Sequence, residues 1–365
     1  MKKLLAILLV LTLMVALCAC GGDTPADDPV TDPTTTTTTT AEATTTTAGE
    51  TETTTEAPTD TTVTEGTTTA TEPPTTTVTE APTTTATEAP TTTATKAPTT
   101  TETPKNPGNV PKSIRILSVG NSFSVDAMKN HLYQMFEAAG CTDIRLGILY
   151  VGGASINTHY DNIRLDRAKY DYYENVNGEW VITPEYKAST AFALTDWDIV
   201  TVQQASPDSG RGPSYENLDA LMDLIQPQIG DAKVYWHMTW AYQQDSDHSG
   251  FANYNNDQAR MYRGIVSATK NKIVDNPDFV GIFPSGTAIQ NLRTSTLGDT
   301  LTADGYHLKD TYGDYTAALT WFCYLTGADA ETMTYRPSSI ADHFDEIAES
   351  VNNAIATPLA ITACK

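Results

Sequence analysis

The stretch SIRILSVGNSFS, residues 113–124, decides the fold of this chain. The branched apolar residues from Ile114 to Val119 predict a buried strand. The spacing of apolar residues from Val125 to Met128 predicts a helix capped by Ser124. Gly120, Asn121 and Ser122 then form a tight strand-to-helix turn. Ser122 is therefore expected at the carboxyl end of a strand, where open α/β sheets bind ligands near helix N–H groups that stabilise an oxyanion.

A second stretch, DGYHL at Asp304 to Leu308, supplies what a serine needs to become a nucleophile. A hydroxyl reacts only when a base removes its proton, and a third group must orient that base. Asp304 and His307 are three residues apart, so one turn of chain can hold the carboxylate against the imidazole. Either stretch alone is a weak signal, because an isolated Ser122 could simply satisfy the backbone of the turn.

Together the two stretches resemble the SGNH (GDSL-like) hydrolase superfamily, and more narrowly a DUF4886-like branch of secreted proteins with GNSFS and DGYHL blocks. The resemblance covers Lys112 to Gly327. It implies a flavodoxin-like α/β fold, with Ser122 as nucleophile, His307 as base and Asp304 as its partner. No cofactor and no metal are expected. Ser124 replaces the second glycine of G-x-S-x-G, so the α/β-hydrolase elbow does not match.

The resemblance also implies donors for an oxyanion hole. The N–H groups of Ser122 and of Gly153, in the block Gly152 to Ser155, are two of them. A third block usually supplies an asparagine, but here the strand Asp198 to Val202 leads into Gln203-Gln204-Ala205-Ser206. A glutamine amide can donate as an asparagine does, so Gln204 is the predicted third donor, with Gln203 and Ser206 as alternatives.

Strands and helices alternate along the rest of the chain, which predicts βαβ units in a three-layer α/β/α sandwich with a mainly parallel sheet. Further strands are predicted at Ile144 to Val151, Asp198 to Val202, Lys233 to Met238 and Phe279 to Phe283. Helices are predicted at 155–168, 215–229, 255–274 and 311–325. The pair Asn177-Gly178 interrupts this rhythm and predicts a hairpin at the edge of the sheet.

Several aromatic residues follow the strand that begins at Lys233, and sugar rings bind against aromatic faces. The residues of this predicted substrate wall are Trp236, His237, Trp240 and Tyr242. Aromatic residues in such positions are more often part of the core. A metal bound by His237 and His248 is disfavoured because their spacing is not ligand-like. His131, His159 and His343 are expected on solvated helix surfaces.

The N-terminal part of the chain is read as a targeting segment and a stalk. Met1 to Ala19 has two lysines and an apolar run that is too short for a permanent span, which predicts a lipoprotein signal peptide. Its end resembles a bacterial lipobox, with cleavage before Cys20 and lipidation of that thiol; an ordinary secretory signal is the alternative. Residues 20–111, rich in Thr and Pro with an eight-residue repeat, predict a disordered stalk.

The net charge of −23 is carried by both the stalk and the domain at residues 112–365. A nucleic-acid partner is therefore disfavoured and none is expected, and contact with the membrane is expected only through the lipid anchor, on the outer face of the cytoplasmic membrane. Cys141, Cys323 and Cys364 form no metal-binding pattern, although one bridge to Cys364 is conceivable. A monomer is expected.

These observations predict a cell-surface serine esterase, a carbohydrate O-deacetylase acting on acetylated polysaccharide or oligosaccharide through an acyl-enzyme. Two alternatives remain open. A non-catalytic glycan-binding module on the same fold would have a misdirected His307. A lipase or thioesterase would need an apolar channel for an acyl chain in place of an aromatic cleft.

Overall fold

The computed structural model of the protein describes residues 105–365. The predicted signal peptide, the lipidation site at Cys20 and nearly all of the predicted stalk lie outside these residues. The stretch from Asn106 to Asn109 hydrogen-bonds to the segment Thr326 to Asp329, so these residues at the end of the predicted stalk pack on the domain. Within the described part of the chain, no helix is both long and apolar enough to cross a membrane.

A seven-stranded sheet forms the centre of the domain, in the order β4-β3-β2-β1-β5-β6-β7. The strands are β1 (Ser113–Gly120), β2 (Asp143–Tyr150), β3 (Tyr170–Asn175), β4 (Trp180–Tyr186), β5 (Ile199–Val202), β6 (Lys233–His237) and β7 (Gly281–Phe283). All neighbours from β2 to β7 are parallel, with β1 between β2 and β5. The predicted, mainly parallel α/β sheet is confirmed.

The antiparallel hairpin β3-β4 extends the sheet next to β2. Its turn contains Gly178 at φ 85°, a conformation that glycine adopts without a steric penalty, and the Asn175 side chain accepts a hydrogen bond from the Gly178 N–H at 2.8 Å. Most of β4 is exposed, as expected of an edge strand. The predicted edge hairpin is therefore confirmed.

Helices cover both faces of the sheet. They are α1 (Ser122–Met128), α2 (Leu132–Ala138), α3 (Ile156–Arg164), α4 (Ala188–Phe192), α5 (Leu218–Ile225), α6 (Gln258–Lys272), α7 (Ser285–Leu292), α8 (Tyr312–Thr326) and α9 (Phe344–Ala356). One group contains α1, α2, α7, α8 and α9, and a second contains α3, α4 and α5. Since β2 contacts members of both groups, the sheet lies between two helical layers.

Two predicted helices are shorter in the structure, and one observed helix was not predicted. The helix predicted at 155–168 ends at Arg164, and Asp166 takes a positive φ of 45°. The helix predicted at 215–229 is confined to α5, because a 3₁₀ turn containing Pro227 follows it directly. Helix α9 was not predicted, although its inward face is apolar.

The cysteines and two of the histidines also differ from expectation. Cys141, Cys323 and Cys364 are all buried free thiols, so the conceivable bridge to Cys364 does not form. His131 and His159 are buried, not solvated. Burial lowers the pKa of His159 to about 4, which keeps the ring neutral beside the Tyr170 hydroxyl at 3.2 Å.

Candidate active site

Ser122 is the first residue of α1 and directly follows the turn after β1. The helix begins three residues earlier than predicted, because Asn121 and not Ser124 is its cap. The Asn121 side chain accepts a hydrogen bond from the Phe123 N–H at 3.0 Å, and it donates one to the Ala154 carbonyl at 3.0 Å. The cap therefore joins the serine turn to the glycine block after β2.

The structure brings together the three residues predicted as a catalytic triad. His307 Nε2 lies 2.8 Å from Ser122 Oγ, and His307 Nδ1 lies 2.7 Å from Asp304 Oδ2. If Nδ1 carries the ring proton and donates it to Asp304, Nε2 is free to accept the Ser122 proton. The imidazole side chain is about 30% exposed and the carboxylate 44%, so solvent and substrate can reach the base.

The loop around Asp304 fixes this carboxylate in place. Asp304 Oδ1 accepts hydrogen bonds from the backbone N–H groups of His307 at 2.8 Å and Tyr306 at 3.2 Å. Partial desolvation raises the pKa of Asp304, but the hydrogen bonds from His307 and Tyr306 outweigh it, and the net shift is downward. Asp304 is thus held ionised, as a partner for an imidazolium must be. Gly305 permits the turn with a φ of 90°.

The two backbone N–H groups predicted to bind an oxyanion have no hydrogen-bond partner among the described residues. Neither the Ser122 N–H nor the Gly153 N–H donates a hydrogen bond to any group within residues 105–365. Ser122 begins a helix, whose first N–H groups have no partners inside the helix, and Gly153 takes a φ of 63° in an exposed turn. Both groups are available to an oxyanion.

Comparison with known proteins identifies the family of the chain. The model of the family described as "Domain of unknown function (DUF4886)" matches residues 115–355. The chain belongs to the DUF4886 family. A crystal structure of a DUF4886 family protein from Bacteroides uniformis is 40% identical, with a TM-score of 0.66, and the match covers 68% of this chain and 97% of that one. The family predicted from the GNSFS and DGYHL blocks is confirmed.

Two acetylxylan esterases are also similar in structure, but distantly. AlAXEase is 15% identical with a TM-score of 0.37, over 57% of this chain and 98% of its own. Axe2 from Geobacillus stearothermophilus is 8% identical with a TM-score of 0.32, and the match covers 62% of this chain and 97% of Axe2. TM-scores this low carry no argument about activity. Among proteins with curated functions, none matches the chain.

The third block of this DUF4886 chain does not supply the predicted donor. The Gln204 amide nitrogen donates to the Ser214 carbonyl at 2.9 Å and to its hydroxyl at 3.0 Å. Its oxygen accepts from the N–H groups of Ile156 at 3.0 Å and Ala205 at 2.8 Å. Gln204 therefore ties the loop after β5 to the start of α3, and its amide is not available to an oxyanion in this structure.

The alternatives to Gln204 are also engaged elsewhere. Gln203 is fully buried; its oxygen accepts from Ser124 Oγ at 2.5 Å and from His237 Nδ1 at 3.0 Å, and its nitrogen donates to Asn121 at 2.7 Å. Ser206 Oγ lies 2.8 Å from the Tyr242 hydroxyl. Gln203 thus holds the Asn121 side chain by a hydrogen bond, and Asn121 in turn holds the turn that carries Ser122. Sequence reasoning placed the glutamines at the correct strand end but could not show which way each amide points.

The predicted aromatic wall is wrong, because its four residues lie in the core. Trp236, His237, Trp240 and Tyr242 are between 0 and 2% exposed. Trp240 stacks on Phe123 at 4.3 Å between ring centroids, and its indole N–H donates to the Tyr306 carbonyl at 2.8 Å. Trp240 therefore supports the His307 loop and does not face solvent.

A different aromatic pair lines the space beside the base. Tyr306 and His248 are both partly exposed and pack edge to face at 4.7 Å between centroids, and the Tyr306 ring lies 4.1 Å from the His307 ring. We call Tyr306 and His248 the outer aromatic face. Tyr306 could have been found from its place within DGYHL, whereas nothing in the local sequence marks His248.

The outer aromatic face has a defined hydrogen-bonding pattern at His248. Its Nδ1 accepts from the Gly250 N–H at 3.0 Å, so the neutral ring carries its proton on Nε2. Burial lowers the pKa of His248, and the nearby charge of His307 lowers it further. Within residues 105–365 no group accepts from Nε2, so this N–H can donate to a ligand.

Other parts of the domain do not form a comparable site. Among the described residues, no group of three or more His, Cys, Asp or Glu side chains is arranged to hold a metal ion. A cavity of about 1020 Å³ lies at the opposite end of the strands, where Ile114, Ile199 and Lys233 stand near the strand starts. It contains none of the three triad residues.

Proposed function

We propose that the protein is a serine esterase that removes acetyl groups from carbohydrate through an acyl-enzyme. The observation that carries this proposal is the continuous chain of hydrogen bonds from Asp304 through His307 to Ser122, at 2.7 and 2.8 Å. A glycan-binding module on the same fold has no need of a base aligned on a serine. The alignment of His307 therefore favours the enzyme.

The first half of the reaction follows from this geometry. Ser122 Oγ attacks the ester carbonyl while His307 Nε2 takes its proton, and the new positive charge on the imidazole is stabilised by Asp304. The carbonyl oxygen becomes an oxyanion that accepts hydrogen bonds from the N–H groups of Ser122 and Gly153. Two backbone donors are sufficient for such a hole, so the engagement of Gln204 elsewhere does not weaken the mechanism.

The second half reverses these roles. The tetrahedral intermediate collapses, the bond to the alcohol oxygen breaks, and His307 gives its proton to the leaving hydroxyl. Water then enters, His307 takes a proton from it, and the hydroxide attacks the acyl carbon. Acetate leaves as Ser122 recovers its proton. No cofactor takes part in these steps.

The surroundings of Ser122 support a carbohydrate as the leaving group. The outer aromatic face, Tyr306 and His248, lies beside His307, the residue that must give its proton to the leaving hydroxyl. A partly exposed aromatic ring with a nearby N–H donor suits a sugar, which presents both C–H faces and hydroxyl groups.

Tyr150 ends β2 next to Gly120 at the end of β1, and we propose that its ring restricts the space available to the acyl group. A Cβ atom added at Gly152 would lie 3.2 Å from the Tyr150 hydroxyl, so this ring lies close over the glycine turn. Tyr150 in turn packs against Tyr173 of the edge hairpin at 5.4 Å between centroids. This crowding favours acetyl over a long acyl chain.

The proposed location follows from the N-terminal sequence. Lipidation at Cys20 would tether the protein to the outer face of the cytoplasmic membrane, and the Thr/Pro-rich stalk would hold the esterase away from it. Acetylated polysaccharide outside the cell is a substrate that such a tethered enzyme can reach. We propose that the enzyme acts there as a monomer without nucleic-acid partners.

The test compares three substrates with purified protein: p-nitrophenyl acetate, p-nitrophenyl octanoate and acetylated xylan. We expect hydrolysis of the acetate ester, release of acetate from xylan, and much slower turnover of the octanoate. Preference for octanoate would support the lipase or thioesterase alternative. A folded wild-type protein that binds xylan but hydrolyses no ester would support the glycan-binding module.

A further inference from the structure

Asp126 lies one helical turn beyond Ser122 on α1 and faces the loop that carries His307. Its Oδ2 atom accepts a hydrogen bond from the Leu308 backbone N–H at 2.9 Å, directly after the base in the sequence. Residues four apart lie on the same face of a helix, so α1 presents the nucleophile and this carboxylate to the same loop. None of the predicted roles includes Asp126.

We propose that Asp126 is a positioning residue that holds the His307 loop against Ser122 and adds a second negative charge near the imidazole. This inference rests on the proposed esterase function. The carboxylate acts through its hydrogen bond to the Leu308 N–H and through its electrostatic interaction with His307, without touching the substrate.

Two other hydrogen bonds of this loop connect it to the segment after β6 and not directly to α1. Trp240 donates to the Tyr306 carbonyl at 2.8 Å, and the Gln243 N–H donates to the Gly305 carbonyl at 2.8 Å. Both bonds come from the segment after β6. Among the described residues, only two hydrogen bonds join α1 to the loop from Asp304 to Leu308: that of Asp126 and that between Ser122 and His307. Asp126 is thus the tie that persists when the Ser122 proton moves.

The position of Asp126 is costly for a carboxylate. Burial raises its pKa to about 7, and the charge of Asp304 raises it further, while the Leu308 N–H and the charge of His307 oppose the shift. A neutral side chain could accept the same backbone hydrogen bond at a lower desolvation cost. The retention of an acid here is consistent with a role for its charge.

A second acid behind Asp126 determines which of the two carries the charge. The pKa of Asp314, on α8, is raised to about 9, first by burial and then by the charge of Asp126. Asn130 donates to Asp314 at 2.6 Å, and Lys129 and Asp310 contribute smaller effects of opposite sign. Asp314 therefore keeps its proton at neutral pH, and Asp126 is the member of the pair that ionises first as the pH rises. A charge there favours the imidazolium that forms when His307 takes the serine proton.

The test separates the hydrogen bond from the charge. Asp126→Asn keeps an oxygen that can accept from Leu308 but removes the charge, whereas Asp126→Ala removes both. Asp310→Asn, an exposed acid-to-amide change two residues after Leu308, is the matched control. For each variant, kcat and KM for p-nitrophenyl acetate are measured over a range of pH. The rate at which a fluorophosphonate labels Ser122 and the melting temperature are measured in parallel.

We expect Asp126→Ala to lower kcat and the labelling rate by about 10- to 100-fold, because a small misplacement of the base is costly, with little change in KM. Asp126→Asn should lower kcat and the labelling rate by a smaller factor, because its side-chain oxygen can still accept from the Leu308 N–H. Removal of a negative charge near His307 disfavours the imidazolium that forms during the reaction, so the acidic limb of kcat/KM should move to lower pH in this variant and stay in place in Asp310→Asn.

Three outcomes would overturn the inference. If Asp126→Ala keeps the wild-type kcat and labelling rate, whatever its melting temperature, the residue is not needed for positioning. If Asp126→Ala does not fold, Asp126→Asn decides, and an unchanged pH profile there removes the role of the charge. A wild-type protein inert to both ester and fluorophosphonate would overturn the esterase proposal, and this inference with it; a reactive wild type with an equally reactive Asp126→Ala would overturn the inference alone.

Discussion

Ser122 Oγ and His307 Nε2 lie 2.8 Å apart although 185 positions separate the two residues in the sequence. The first lies at the end of the central strand, and the second lies in a loop before α8 that hydrogen-bonds to both α1 and the segment after β6. Their alignment depends on several independent contacts that converge on one hydrogen bond. Such convergence is what an acyl-transfer mechanism requires of its nucleophile and base.

The triad can be tested by substitution. Ser122→Ala should reduce kcat for p-nitrophenyl acetate by about 10⁶-fold, and His307→Ala by a similar factor, because nucleophile and base act as a unit. Asp304→Asn should cost less, about 10⁴-fold, since the imidazole remains but loses its orienting partner. Ser267→Ala, an exposed serine on α6, is the control. Comparable ester hydrolysis in Ser122→Ala would rule out the serine-esterase mechanism.

Gln204 should behave as a structural residue. Its amide joins Ile156 and Ser214, so Gln204→Ala should lower the free energy of unfolding by about 1–3 kcal/mol by leaving buried groups unpaired. Its effect on kcat should be smaller than the 10²- to 10³-fold typical of a lost oxyanion donor. Chemical denaturation and steady-state kinetics measure the two quantities, with the exposed Gln228→Ala as control. A large fall in kcat at unchanged stability would restore Gln204 as a donor.

The outer aromatic face should determine how well carbohydrate binds. His248→Ala removes the Nε2–H that has no partner in the described domain, so KM for acetylated xylan should rise by about 10-fold, the equivalent of one good hydrogen bond. KM for p-nitrophenyl acetate should change less, because this ester has no sugar. Initial rates on both substrates provide the measurement. Equal changes on the two substrates would mean that His248 serves the triad and not the sugar.

Asp314 should make stability fall as pH rises. Its folded-state pKa of about 9 exceeds the ordinary value of 3.8. Between about pH 4 and 9 the folded state therefore keeps a proton that the unfolded state has already released, and the free energy of unfolding falls as the pH rises. Across this window the wild type should lose stability that Asp314→Asn keeps. The difference in melting temperature should therefore be near zero at pH 4 and largest near pH 9. Asp275→Asn, at an exposed position, is the control; a pH-independent difference would contradict the buried-acid interpretation.

The proposed anchor can be tested in cells. Cys20→Ser should block lipidation and move the protein from the membrane fraction to the soluble fraction, because a chain with a net charge of −23 is not expected to adhere to anionic lipid. Cys18→Ser is the matched control, since Cys18 would be discarded with the signal peptide. Release by Cys18→Ser and retention of Cys20→Ser would mean that the lipobox has been placed wrongly.

The sequence by itself determined the elements whose signals are local. The apolar run from Ile114 to Val119 specified the central strand, Asn177-Gly178 specified the edge hairpin, and the spacing of Asp304 and His307 specified a carboxylate next to an imidazole. Each of these depends on residues close together in the chain, where periodicity, turn chemistry and side-chain reach are set by covalent geometry. The family followed from the order of such local blocks.

Tertiary structure decided everything that depends on which side chains meet across the sheet. Whether the Gln204 amide points at an oxyanion or at Ser214 depends on how the chain folds back ten residues later and on the contact between Gln204 and Ile156 at the start of α3. Trp240 is buried because Phe123, from α1, stacks on it. Asp126 can position the His307 loop because the Leu308 N–H donates a hydrogen bond to it. These contacts are set by the packing of distant elements into one dense core, which no local pattern specifies.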